Sequence, residues 1–78
     1  MILDLWNAEA FQSYAKPLEK LEKSFNAAGH PIIFHAFVDP LGNKMIRVMG
    51  GRASQKIICI EADSPAAAVK DVAKGVRI

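Results

Sequence analysis

Residues 30–62 read HPIIFHAFVDPLGNKMIRVMGGRASQKIICIEA, and the fold of the whole chain turns on how this stretch divides. Three apolar runs, Ile32 to Val38, Met45 to Met49 and Ile57 to Ile60, are rich in β-branched and aromatic side chains. Segments carrying Gly, Pro, Asn or Ser separate them, so the stretch predicts a three-stranded antiparallel meander. The first link, Asp39-Pro40-Leu41-Gly42, has Asp at i, Pro at i+1 and Gly at i+3, the preferences of a type I turn. The second link, Gly50 to Gln55, is longer and glycine-rich, carries Arg52, and is expected to be the most mobile loop.

Side chains alternate along a strand, so each run splits into two sets. One set, Ile32, Phe34, Ala36 and Val38, then Ile46 and Val48, then Ile58, Ile60 and Ala62, is wholly apolar and belongs in the core. The other holds Ile33, His35 and Phe37, then Met45, Arg47 and Met49, then Ile57, Cys59 and Glu61. His35, Arg47 and Glu61 place this second set outward, yet the other six of its nine members are apolar. A solvated sheet face is normally polar, and an exposed apolar patch usually marks an interface. The alternative is that Met1 to Trp6, with Trp6 as a lid, or the tail Val76 to Ile78 folds across this face.

Something must cover the first set, and the flanking segments qualify. Phe11, Tyr14, Leu18, Leu21, Phe25 and Ala28 recur at intervals of three and four, one stripe of a helix expected from Asn7 to Ala28. Asn7 is the expected N-cap and Gly29 the left-handed stop. Pro17 lacks the N–H that would bond Ser13, so the helix either kinks there or breaks at Ala15 and restarts. The unbroken phase of the stripe favours one kinked helix. A second helix follows Ser64, the expected N-cap, with Pro65 first, Val69, Val72, Ala73 and Val76 on its apolar face, and Gly75 as its stop. The order α-β-β-β-α predicts one α+β domain over residues 1–78, with both helices on one side of the sheet.

Composition narrows the function classes. Half the residues are apolar (51%) and 23% are charged, a globular balance. Ten Lys and Arg against eight Asp and Glu leave +2, too little to argue for nucleic acid or membrane by charge alone. A single cysteine, Cys59, excludes an intramolecular disulfide and fits a reducing cytoplasm. Asp4 and Glu9 near the start argue against a signal peptide, and no run approaches the roughly 18 apolar residues of a membrane span.

No motif for chemistry stands out. His30, His35, Cys59 and Asp63 lack the close spacing of a structural zinc site, and in a meander His35 and Cys59 are separated by the middle strand. Gly50 and Gly51 belong to no phosphate-binding pattern. The expectation is a non-enzymatic chain without metal or cofactor.

The order α-β-β-β-α resembles that of double-stranded-RNA-binding domains, and the resemblance is one of order only. In that family basic residues at the start of the last helix contact phosphates. Here that position reads Glu61, Ala62, Asp63, Ser64, Pro65, which would repel a phosphate backbone; Lys16, Lys20, Lys23, Arg52 and Lys56 leave only a weak basic surface.

The sequence therefore predicts a cytoplasmic protein-binding domain that acts through the outer sheet face. Ile33, His35, Phe37, Met45, Arg47, Met49 and Ile57 are its candidate contacts, with Arg52 on the loop at its rim. The partner is expected to be another protein, a homodimer being one form, with a nucleic-acid-binding module and a homo-oligomeric structural protein as alternatives. Chains of this size and class occur among adaptors and phage-encoded inhibitors such as anti-CRISPR proteins, an analogy of class that no residue carries.

Overall fold

Alternating apolar runs bounded by turn residues form the strands of the computed structural model, which describes residues 1–50 and 56–76. In chain order the elements are β1 (Ile2–Leu3), a single 3-10 turn (Leu5–Asn7), α1 (Ala15–Ala27), β2 (Ile33–Val38), β3 (Lys44–Met49), β4 (Lys56–Ile60) and α2 (Pro65–Gly75). The strands lie side by side in the order β1-β2-β3-β4. β2, β3 and β4 are the expected antiparallel meander, with Phe34 opposite Val48 and Ile46 opposite Ile58. The sheet is nevertheless four-stranded and mixed, because β1 adds to β2 in parallel, Ile2 opposite His35 and Leu3 opposite Ala36. The α+β class holds; the purely antiparallel three-stranded sheet does not.

The β2–β3 turn forms as its residues dictate. Gly42 N–H donates to Asp39 C=O at 3.0 Å and Asp39 N–H to Asn43 C=O at 3.0 Å. Gly42 sits at φ +85°, a left-handed position that costs a glycine little. Beyond β3, Gly50 (φ +93°) brings its backbone so close to Pro31 that a Cβ would lie 3.1 Å from the Pro31 carbonyl oxygen. The remainder of the expected mobile loop, Arg52 included, lies outside the described residues.

α1 corrects the first-helix expectation. It begins at Ala15, and residues 8–14 form successive turns rather than the first half of a kinked helix. Pro17 then falls in the first helical turn, where a missing N–H leaves no intrahelical bond unmade. Because the turns continue the helical winding, with Tyr14 and Ala15 N–H both donating to Phe11 C=O, the apolar stripe keeps its phase across the break. Asn7 is buried at the end of the 3-10 turn and does not cap α1. At the other end Gly29 has φ +87°, His30 N–H bonds Phe25 C=O and Gly29 N–H bonds Asn26 C=O, the bonding of a Schellman stop.

α2 starts as expected, with Ser64 Oγ accepting the Ala67 N–H at 3.3 Å and Pro65 in first place. Its buried stripe is Ala68, Val72 and Val76, with Val69 alongside. Gly75 is the last helical residue and not a left-handed stop. Its role is spatial: a Cβ there would sit 2.7 Å from Ile58 Cδ1, so the missing side chain lets α2 close onto β4.

Both helices cover the same side of the sheet. Phe11, Tyr14 and Leu18 from the α1 region and Ala68, Val72 and Val76 from α2 and its cap join Ile32, Phe34, Ala36, Ile46, Val48 and Ile60 in one buried cluster. These sheet residues all come from the wholly apolar set.

Candidate protein-binding face

The register of the four strands places the second set of side chains in rows. Ile2, His35, Arg47 and Ile57 lie opposite one another across the sheet, Phe37, Met45 and Cys59 form a second row, and Ile33 pairs with Met49. Arg47 is at the centre, between Met45 and Met49 along its strand and between His35 and Ile57 across it. Ile2, Ile33 and Ile57 are 47%, 48% and 54% exposed, and Cys59 is exposed as well. His35, Phe37, Met45, Arg47 and Met49 are half-buried. Seven of the eight candidate contacts thus share one continuous face, and the eighth, Arg52, lies outside the described residues.

The half-burial comes from contacts within the face. The Arg47 guanidinium carbon lies 5.4 Å from the Phe37 ring centre, a cation–π distance, and the His35 ring lies 5.7 Å from the same ring. His35 Nε2 is 3.6 Å from Asp4 Oδ2. Arg47 Nε is buried and, among the described residues, finds no hydrogen-bond partner, nor does any carboxylate lie within ion-pair distance of its guanidinium. A donor left so costs about 1–3 kcal/mol, which an acceptor brought by a partner would recover.

The first six residues do not form a lid. β1 adds to the sheet edge instead of crossing the face, so Ile2 enlarges the apolar surface, and Trp6 is 83% exposed. Val76 is in the core, which leaves only residues 77–78 of the expected tail outside the described residues. Ile2 was not legible as a face residue, because a two-residue strand carries no period.

His35 and Cys59 sit on β2 and β4 with β3 between them, so they do not meet as base and nucleophile. Among the described residues no three of His, Cys, Asp and Glu come together as metal ligands, and no helix is long and apolar enough to cross a membrane. On the opposite side of the molecule an open groove of about 450 Å³ runs along the α1–α2 seam between Pro17, Leu21, Ala66 and Val69, with Lys20 and Lys70 beside it. No protein-family model, curated protein or solved structure matches the chain.

Proposed function

We propose that the chain is a non-enzymatic protein-binding domain, an adaptor or an inhibitor of a larger protein, that engages its partner through the outer face of the sheet. The observation that carries this reading is Arg47: a cation whose Nε is unsatisfied among the described residues, held at the centre of a face where His35 and Cys59 lie among Ile2, Ile33, Phe37, Met45, Met49 and Ile57. Apolar anchors around one directional polar group are the usual make-up of an interface centre. A partner that fits presents a carboxylate flanked by apolar side chains, the carboxylate pairing with the Arg47 fork and the apolar groups covering the isoleucines and methionines.

The test is affinity capture with wild-type protein and with Met49→Asp, Arg47→Glu and the helix-side control Lys16→Glu, followed by binding measurements on the purified captured protein. A partner bound by wild type and Lys16→Glu, and weakened at least tenfold by both face variants, is the expected result. A partner indifferent to Met49→Asp and Arg47→Glu would sink the reading.

A further inference from the structure

The two edges of the sheet are treated in opposite ways. On the β2 side, β1 occupies part of the edge, and α1 closes what β1 leaves open. Asn26 Oδ1 accepts the Ile32 N–H at 2.9 Å while its Nδ2 donates to Ile32 C=O at 3.3 Å, so one amide imitates a neighbouring strand. One turn earlier, Glu22 Oε2 accepts the Phe34 N–H at 2.7 Å, and its Oε1 pairs with the buried Met1 α-ammonium at 2.8 Å. Sealing an edge in this way prevents it from templating another chain.

β4 has no such seal among the described residues. Phe34 N–H points to Glu22 and not to β3, and Asp39 N–H points to Asn43, so backbone alternation fixes which groups face which way. Odd residues of β2 bond to β3, Lys44, Ile46 and Val48 of β3 bond to Ile60, Ile58 and Lys56, and the N–H and C=O of Ile57 and Cys59 turn away from the sheet. The edge bearing them runs Ile57-Ile58-Cys59-Ile60 with no charge and no proline, and both Ile57 and Cys59 are exposed. Lys56 does not guard it, since its Nζ is drawn to the end of α2, 3.5 Å from Gly75 C=O.

We infer that β4 pairs edge to edge with β4 of a second copy of this chain, antiparallel about a twofold axis at Ile58, to make one continuous eight-stranded sheet. This register sets Ile57 opposite Cys59 of the other copy and uses all four outward groups in two hydrogen-bonded pairs, with Ile58 opposite itself. The antiparallel sense also keeps both outer faces on the same side of the joined sheet, whereas a twofold axis along the strands, which would make the pair parallel, would turn one of them over. The pairing joins two outer faces side by side without covering either, and it does not depend on what the faces bind.

Amide hydrogen exchange by NMR across a wide concentration range, with light scattering on the same samples, tests this. In dilute solution the Ile57 and Cys59 amides should exchange rapidly while Ile58 and Ile60 stay protected. As concentration rises, twice the chain mass should appear together with protection at Ile57 and Cys59. Ile57→Pro removes an outward N–H that bonds nothing in the monomer, so it should leave the sheet amides of β2 and β3 protected and abolish the dimer. Cys59→Lys, a charge on the edge, should do the same without touching the backbone. Three outcomes overturn the inference: a monomer at every concentration, protection of Ile57 and Cys59 that ignores concentration and so comes from the chain itself, or a dimer that survives both variants and is lost with Ile33→Asp on the outer face.

Discussion

Both carboxylate oxygens of Asp39 are engaged in the β2–β3 turn. Oδ1 accepts the N–H of Leu41 at 2.9 Å and of Asn43 at 2.8 Å, and Oδ2 accepts Asn43 Nδ2 at 3.0 Å. The Asn43 side chain foremost, then the backbone donors, hold the carboxyl below its ordinary 3.8. The charged form is the one these bonds favour, so the folded state binds the proton less readily than the unfolded chain. The resulting stability is fully present above pH 3.8 and is lost as pH falls through the lower folded value. Asp39→Asn lacks this charge-dependent part. The gap in denaturation midpoint between wild type and Asp39→Asn should therefore be constant from neutral pH down to about 4 and shrink below it; a gap that does not change in acid would show that the turn is held by other means. The turn itself was legible because Asp, Pro and Gly each have a local reason to stand where they do. The same residue scale misled at Gly75, where a glycine that looked like a stop is instead the space through which α2 meets Ile58.

At the scale of elements, β2, β3 and β4 were readable because each is long enough to show period two, and their inner residues agree with one buried face. The α1 region was readable in phase but not in extent. A stripe at intervals of three and four reports winding, and the turns over residues 8–14 wind like a helix without its full ladder of bonds. β1 left no trace in the pattern, because its position is set by tertiary contacts of Met1 and Glu22. Glu22→Ala leaves the Phe34 N–H and the Met1 ammonium without their acceptor, so it should cost about 1–3 kcal/mol. It should also release β1, seen as faster exchange at the Phe34 and Ala36 amides with Ile46 and Ile58 unaffected. Glu22→Gln keeps an acceptor for Phe34 and should lose less. Equal exchange at Ala36 in wild type and Glu22→Ala would mean that β1 is held without this carboxylate.

The molecule as a whole is a two-layer structure: helices cover one side of the sheet, and the other presents the exposed Ile2, Ile33, Ile57 and Cys59. This asymmetry was visible in the sequence as two alternating sets, with Arg47 in the outward one; the central place of Arg47 comes from the strand register, Ile2 left no trace, and Arg52 lies outside the described residues. Two neighbouring positions of β3 put the asymmetry to a direct test. Val48 points into the core and is fully buried, whereas Met49 points to the outer face and is half-buried. Val48→Asp sets an unpaired carboxylate among Phe34, Leu18 and Val72, or forces it to take up a proton, at a cost of about 3 kcal/mol or more. For 78 residues at roughly 0.05–0.15 kcal/mol each, total stability is about 4–12 kcal/mol, so this one change should remove a large part of it. Met49→Asp keeps its charge in contact with water beside Arg47 and should cost no more than about 1 kcal/mol, a melting shift of about 4–8 °C at most. Thermal melts of the two variants therefore read out which face is core: a large loss at Val48 with a small one at Met49 fits the open face, and comparable losses at both would mean that the chain itself packs against the outer side of its sheet.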